Sequence, residues 1–301
     1  MENQEKIYFN SHFNVDGKEY LNVILNHDIS KYLDPNRFKY VPTKYFDSQA
    51  ALNVISQFLK TVYSFYEQGK DYLAYPLLTV PKEMNATRLG LSADRPQGTG
   101  TSKDILNDLM RTVHRMNISP ERLNRSPQVL LLFVPNFGPD RFSDFMTNLI
   151  AKQLCDFTKK VCLVHGIVDF DKFSISYFNV ETRDWDTYDA QLPYDAGGRP
   201  IILCPKEAVV DEYNFSPTRY IQRVILAAKQ AELIAQDSPR VKHKFSKQKN
   251  QMIPVPPTKK ELYNTEVKPL GKNGPKKYAL RESLKQPKLF ADYLGTTETT
   301  A

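Results

Sequence analysis

Apolar residues recur at helical spacing in several stretches of the chain. The clearest predicts an amphipathic helix over residues 48–68, capped by Asp47 or Ser48 and ended by Gly69. Further helices are predicted from Ser102, from Pro139 to about Lys160, and from Ser216-Pro217 through residue 236. A weaker helical period runs through ALRESLKQPKLFADYL near the end of the chain.

Apolar runs predict four strands between these helices, of which the first and the last are expected to be buried. The runs are QVLLLFV at 128–134, VCLVHGIV at 161–168, FSISYFNV at 173–180 and RPIILCP at 199–205. ETRDW, after the third run, reads as a turn. Strands alternating with helices predict a mixed α/β fold, in which a sheet is flanked by helices.

Charge divides the chain at about residue 240. Residues 240–288 contain fourteen Lys/Arg against three Asp/Glu, a net +11, whereas the whole chain of 301 residues carries +7. The rest therefore sums to about −4. With the proline-rich IPVPPTKK and the turn-forming GKNGPKK, this predicts a mixed α/β body at 1–239 and an extended basic arm at 240–301 that ends in a short docking helix. A disordered basic tail is the alternative.

A basic segment interleaved with aromatic residues favours a polyanionic partner, because each neutralised phosphate releases condensed counterions. The partner expected from this pattern is DNA or RNA, a partner protein subunit, or both. The candidate nucleic-acid-binding residues are Arg141, Lys242, Lys244, Lys247, Lys249, Lys259, Lys260, Lys276 and Lys277.

The helix that follows Pro139 carries a polar stripe. Asp140, Asp144 and Asn148 lie within about 80° of one another on a helical projection, opposite the apolar face. Oxygen ligands at the mouth of an α/β sheet suit Mg²⁺ or Mn²⁺, which makes these three residues candidate metal ligands and the two aspartates candidate catalytic groups. A wet helix face with acids favoured by the helix dipole explains the same pattern without a metal.

Lys206 and Glu207 directly follow the predicted strand RPIILCP and are candidate catalytic residues. Carboxylates and a lysine at strand ends form the active sites of metal-dependent nucleases of the restriction-endonuclease type. The pattern departs from theirs at Cys204, where an acid is expected two positions before the lysine. An ordinary surface lysine at a strand exit is the alternative.

The glycine-rich stretch GLSADRPQGTGTSKD precedes a predicted helix. Gly98, Gly100, Ser102 and Lys103 are candidates for binding an anion at the helix start, although the spacing of an ATPase phosphate loop is absent. A flexible loop is the alternative.

Cysteines and apolar runs bear on the compartment. Cys155, Cys162 and Cys204 have no paired spacing and stand in apolar stretches, as expected of reduced, buried thiols. The first residues lack an apolar signal region, and no run approaches the ~20 apolar residues of a membrane span. We therefore expect a cytoplasmic protein without membrane contact.

The strings GPDRFSDFMTNLI and GRPIILCPK resemble segments of uncharacterised bacterial proteins of mobile-element and phage-defence loci. The resemblance covers about the middle third of the chain. The matched positions are Asp140, Arg141, Asp144, Asn148, Pro205 and Lys206. It implies a bacterial or phage-related setting and suggests nucleic acid as the target.

Together these patterns predict a nucleic-acid-acting component of a bacterial defence-type system, in one version a Mg²⁺-dependent nuclease. The alternative is a non-enzymatic scaffold or binding subunit of a nucleic-acid or anti-phage protein complex. A third hypothesis is a sensor of a phage component or small anion that uses residues 98–103.

Overall fold

A computed structural model describes residues 5–79, 85–90 and 103–298, with the side chains of 296–298 excepted. The chain folds as two compact units. Unit 1 comprises Met1–Leu130 and Phe137–Tyr213, and unit 2 comprises Leu131–Asn136 and Asn214–Ala301. Helices and short antiparallel sheets occur in both, which confirms a mixed helix and sheet protein.

Helices contribute most of the regular structure in unit 1. They are α1 (Phe9–Phe13), α2 (Ser48–Glu67), α3 (Tyr75–Leu78), α4 (Lys103–Arg115), α5 (Pro120–Arg125), α6 (Pro139–Leu149) and α7 (Ala151–Val164). Its strands pair as two antiparallel ladders, β1 (Tyr32–Leu33) with β4 (Val209–Val210), and β2 (Asp171–Asn179) with β3 (Asp184–Leu192).

The core of unit 1 forms where α2, α6 and the β2–β3 hairpin meet. Phe58 of α2 is fully buried, with ring centroids 5.4 Å from Phe145, 5.1 Å from Phe178 and 6.0 Å from Trp185. Asp47 accepts a hydrogen bond from the Ala50 amide at 2.9 Å and so caps α2, as the sequence predicts.

Unit 2 folds most of the segment that the sequence predicts to be an extended arm. It contains α8 (Pro217–Tyr220), α9 (Leu226–Ala235), α10 (Lys259–Leu262), α11 (Gly274–Lys285) and α12 (Pro287–Glu298), with a π-helix at Ile221–Ile225 joining α8 to α9. The strands β5 (Lys242–Ser246) and β6 (Gln251–Val255) pair as an antiparallel hairpin.

The extended arm is therefore not confirmed. Tyr278 and Tyr293 are almost fully buried, and the Tyr220 hydroxyl lies 2.7 Å from that of Ser283 inside the unit. Phe133, from the segment inserted after residue 130, packs its ring 5.3 Å from Phe290. These apolar residues are widely spaced among many lysines, so the local composition does not predict that they form a core.

Three predicted strands take other forms. Residues 128–134 begin as a 3₁₀-helix, Pro127–Leu131, and the run 161–168 begins inside α7, which continues to Val164. A short apolar run cannot be distinguished from a buried helical segment by periodicity alone. Phe157 and Val161 are buried one helical turn apart whereas Val164 is exposed, which is the helical pattern.

The run 199–205 lies outside the named strands, and its residues 201–205 are buried. Its amides donate to separate partners: Ile201 to the Pro193 carbonyl, Ile202 to the Ala86 carbonyl and Leu203 to the Thr158 hydroxyl, at 2.8–2.9 Å. These three buried backbone amides therefore all have hydrogen-bond partners, although the run does not pair as a strand in a β-ladder.

Candidate functional site

Positive charge concentrates in unit 2. Residues 131–136 and 214–301 contain seventeen Lys/Arg against seven Asp/Glu, a net +10, and the remaining 24 Lys/Arg and 27 Asp/Glu give unit 1 a net −3. Fourteen of the seventeen cationic residues are exposed. Most of this charge is therefore presented to solvent on one of the two units.

The β5–β6 hairpin carries a dense part of this charge. Residues 238–260 include seven Lys/Arg and no Asp or Glu. None of the ten strand residues is buried, and Lys242, Lys244, Lys247 and Lys249 are all exposed. In the part of the chain that the structure describes, Lys244, Lys247 and Lys249 form no ion pair.

Side-chain alternation gives the hairpin two different faces. Phe245 pairs with Met252 and His243 with Pro254, whereas Lys244 pairs with Ile253 and Lys242 with Val255. Phe245 is 58% exposed and Met252 is 56% exposed, so an open apolar pair lies on one face. The lysine pairs occupy the other face.

A cavity of about 400 Å³ opens beside α10 in the same unit. Lys259, Lys260, Tyr263, Gln222 and Asn264 line it. Two ammonium groups, two amides and a phenol are groups that hydrogen-bond to an anionic or polar ligand.

Lys276, one of the predicted nucleic-acid-binding residues, points into unit 2 instead. Its Nζ donates to the Val134 carbonyl oxygen at 2.9 Å. Burial lowers the pKa of this ammonium group to about 8. Its neighbour Lys277 is exposed. Lys276 therefore serves the packing of the unit, and Lys277 belongs to its surface.

The predicted metal helix is present as α6, with Pro139 in its first turn and Asp140 next to it. Asp140 packs close to Gly90, where a Cβ would collide with its Oδ1. Asn148 is only 3% exposed, and its Nδ2 donates to the Asp144 carbonyl oxygen at 2.8 Å. Asn148 is thus turned into the core rather than towards an open site beside Asp140, Arg141 and Asp144.

Lys206 and Glu207 lie on a 3₁₀-helix, Lys206–Ala208, with different neighbours. The Lys206 amide donates to the Glu19 carbonyl at 3.2 Å, and the Glu207 carbonyl accepts from Arg37 Nε at 2.7 Å. Among the residues that the structure describes, no group of three or more His, Cys, Asp or Glu side chains is arranged to hold a metal ion.

The predicted anion loop lies largely outside the described residues, since these omit Gly98, Gly100 and Ser102. Lys103 begins α4, and its Nζ lies 4.9 Å from the centre of the Tyr75 ring. This cation–π contact holds the ammonium group near an aromatic face.

A groove on unit 1, of about 270 Å³, is less suited to an anion. Its lining pairs opposite charges, with Lys172 2.6 Å from Asp189, and Lys159 Nζ donates to Gln191 at 2.6 Å. Burial raises the pKa of Cys155, which also lines it, to about 12, so its thiol stays protonated at neutral pH.

Sequence reasoning found the lysines and the interleaving of aromatic residues in the basic segment, but it missed Met252 and the cavity residues Gln222 and Asn264. The hairpin has a local signal, since KHKFS and QMIPV are short strand-like runs separated by the polar residues KQKN. The cavity has none, because Gln222 meets residues 259–264 only through folding.

No described helix has the length and apolar character needed to cross a membrane. No curated protein and no solved structure matches the chain. A family model described as a domain of unknown function, DUF8370, matches residues 12–216 and ends close to the boundary of unit 1 at residue 213. Because the match covers more than half of the chain, this protein belongs to the DUF8370 family.

Proposed function

We propose that the protein binds nucleic acid through the exposed cations of unit 2. The observation that carries the proposal is the +10 charge of this unit, with fourteen of its seventeen Lys/Arg side chains exposed. Phosphate oxygens spaced along a strand are the natural complement of such a surface, because each contact releases counterions.

Two further observations support a binding role. The lysines of the β5–β6 hairpin are exposed, and no Asp or Glu occurs in residues 238–260, which favours the approach of phosphates. The lysine-lined cavity adds hydrogen-bonding groups on the same unit. Binding of this kind is largely independent of base sequence, since phosphate contacts position a protein but carry little sequence information.

The proposal is tested by fluorescence anisotropy with a labelled 20-base-pair duplex and the matching single strand at fixed salt. The variant Lys242→Gln, Lys244→Gln, Lys247→Gln and Lys249→Gln removes four hairpin charges. We expect its affinity to fall by about 10-fold or more, because up to about four phosphate contacts are lost.

The matched control changes four exposed lysines of unit 1, Lys6→Gln, Lys18→Gln, Lys60→Gln and Lys70→Gln. It alters total charge by the same amount and should leave affinity within about two-fold, since the contact surface remains. Equal losses in both variants, or no binding by the wild-type chain, would reject the proposal.

The nuclease hypothesis is assayed in the same samples by adding Mg²⁺ or Mn²⁺. If cleavage occurs and disappears in the Asp140→Ala, Asp144→Ala variant, the protein cuts the nucleic acid that it binds, and these two acids are identified as metal ligands. Binding without cleavage would favour the non-enzymatic scaffold. The bacterial phage-defence setting stays a prediction from the resemblance.

A further inference from the structure

We infer that the β5–β6 hairpin is a two-stranded ribbon that enters the major groove of double-stranded DNA, with Phe245 and Met252 against the base edges. This inference rests on the proposed function and names the form of nucleic acid and the inserting element. It depends on the shape of the hairpin, on its two faces and on its charge.

The hairpin has the dimensions of a groove-reading element. Each strand has five residues, Lys242–Ser246 and Gln251–Val255. At ~3.4 Å per residue each strand is about 17 Å long, and the two strands lie ~4.8 Å apart. B-DNA has a major groove about 12 Å wide and 8.5 Å deep, which admits a two-stranded ribbon.

Exposure shows that the strands are available for this contact. No strand residue is buried, and the turn residues at 247–250 are all exposed. An isolated two-stranded hairpin is only marginally stable in water, so insertion between two phosphate walls would also order it. The unpaired outer edge of β5 carries Lys242 and Lys244, and that of β6 carries Pro254, and both residue types discourage pairing with another strand.

The face that bears Phe245 and Met252 supplies the base contact. Both side chains are more than half exposed and lie opposite each other in the ladder. Apolar groups in the major groove contact the thymine methyl, which offers no hydrogen bond. The long lysines of the other face and of the turn reach the phosphates that line the groove.

Single-stranded nucleic acid fits this element less well. Proteins that bind single strands stack successive bases on several aromatic side chains. Phe245 is the one Phe, Tyr or Trp residue in the two strands. The imidazole of His243 is the only other aromatic ring on the same face. The charge of the ribbon suits either form, but its shape and its apolar pair favour a duplex.

The first test uses Phe245→Ala with Met252→Ala, a variant that changes no charge. We expect a loss of about 10-fold in affinity for the 20-base-pair duplex and less than two-fold for heparin, a polyanion without a base-lined groove. The control Ile234→Ala with Leu284→Ala trims two other exposed apolar residues of unit 2 and should leave both affinities unchanged.

Each outcome has a separate meaning. If the lysine variant binds the duplex weakly but the Phe245→Ala, Met252→Ala variant keeps its duplex affinity, the ribbon is overturned and the proposed function is retained. Parallel losses for duplex and heparin also overturn it, as does tighter binding to the single strand. Failure of the wild-type chain to bind any nucleic acid removes the proposed function itself.

A crosslinking test does not depend on the folding stability of the alanine variant. Met252→Cys is incubated with a duplex that carries an activated disulfide tethered to a base in the major groove. Cys155, Cys162 and Cys204 are buried, so the introduced thiol is the reactive one. Rapid crosslinking by Met252→Cys but not by Leu284→Cys supports the ribbon, and equal rates in both overturn it.

Discussion

At the scale of single residues, Lys276 shows how burial changes the role of a charged side chain. It lies in the most basic part of the sequence, yet its Nζ donates to the Val134 carbonyl and its pKa falls to about 8. In the unfolded chain the same group has a pKa near 10.5. Between these values the unfolded state binds more protons than the folded state, so stability rises with pH.

We therefore predict that Lys276 contributes a rise in the free energy of unfolding of unit 2 on the order of 2 kcal/mol between pH 8 and 9.5. In Lys276→Met this contribution should vanish, because no ammonium group remains to lose its proton. Urea unfolding at both pH values measures the difference, and Lys277→Met is the exposed control. Equal pH slopes in wild type and Lys276→Met would contradict the prediction.

A buried ion pair in unit 1 supplies the second residue-scale prediction. Asp195 is 4% exposed and accepts from Arg88 Nη2 at 3.0 Å and Arg199 Nε at 2.8 Å. Asp195→Asn should lower the free energy of unfolding by about 3 kcal/mol, since it leaves the buried Arg88 uncompensated. Asp189→Asn breaks an exposed pair with Lys172 and should cost less than about 1 kcal/mol.

The same pair predicts an acid dependence. Burial acts to raise the pKa of Asp195, but hydrogen bonds from the Arg199 side chain and from the Arg199 and Gly197 amides outweigh it, and the pKa is lowered from 3.8. A lowered carboxyl pKa gives stability that is complete above pH 3.8 and lost as pH falls through the folded value. Asp195→Asn should lack this loss in acid unfolding curves below pH 3.8, whereas Asp189→Asn should retain it.

At the scale of elements, α2 organises unit 1 by presenting one apolar face to α6 and to the β2–β3 hairpin. Phe58 is at the centre of this contact, since its ring packs against Phe145 of α6 and Phe178 of β2. The helix itself is predictable, because its apolar residues recur every three to four positions and Asp47 caps it. Which elements it contacts is decided by packing.

Phe58→Ala should lower the free energy of unfolding by about 3–5 kcal/mol, because it removes a fully buried ring and leaves a cavity among aromatic neighbours. Asn53→Ala, at an exposed position of the same helix, should change it by less than about 0.5 kcal/mol. Chemical denaturation followed by circular dichroism compares them. A loss below about 1 kcal/mol for Phe58→Ala would show that the helix packs elsewhere.

At the scale of the whole molecule, charge separates the two units, with +10 on unit 2 and −3 on unit 1. Contact with about four to eight phosphates gives a slope of log affinity against log salt of about −4 to −7. Affinity for duplex DNA should therefore fall by about 10² to 10⁴ between 50 and 200 mM salt. A salt titration of binding, with the unit 1 lysine variant as control, measures this slope, and a slope near zero would contradict it.

Sequence by itself determined the features that depend on neighbouring residues. Residue spacing specified α2, the start of α6, the FSISYFNV strand and the turn after it, but not the break between α6 and α7 at Ile150. Composition located the excess of lysine after residue 240. Apolar surroundings also indicated the burial of Cys155, Cys162 and Cys204, which the structure confirms. These features follow from local periodicity and side-chain chemistry, which are present in any stretch of ten to twenty residues.

Only the tertiary structure decided where residues distant in sequence meet. The Ile202 amide donates to the Ala86 carbonyl, so an apolar run became a buried segment without a β-ladder. Lys276 Nζ donates to the Val134 carbonyl, so a lysine of the basic segment became a partly buried residue. Asn148 turned inward for the same reason, since its environment is set by packing around α6. The physical cause is that burial and hydrogen-bond partners depend on long-range contacts, for which a local pattern carries no information.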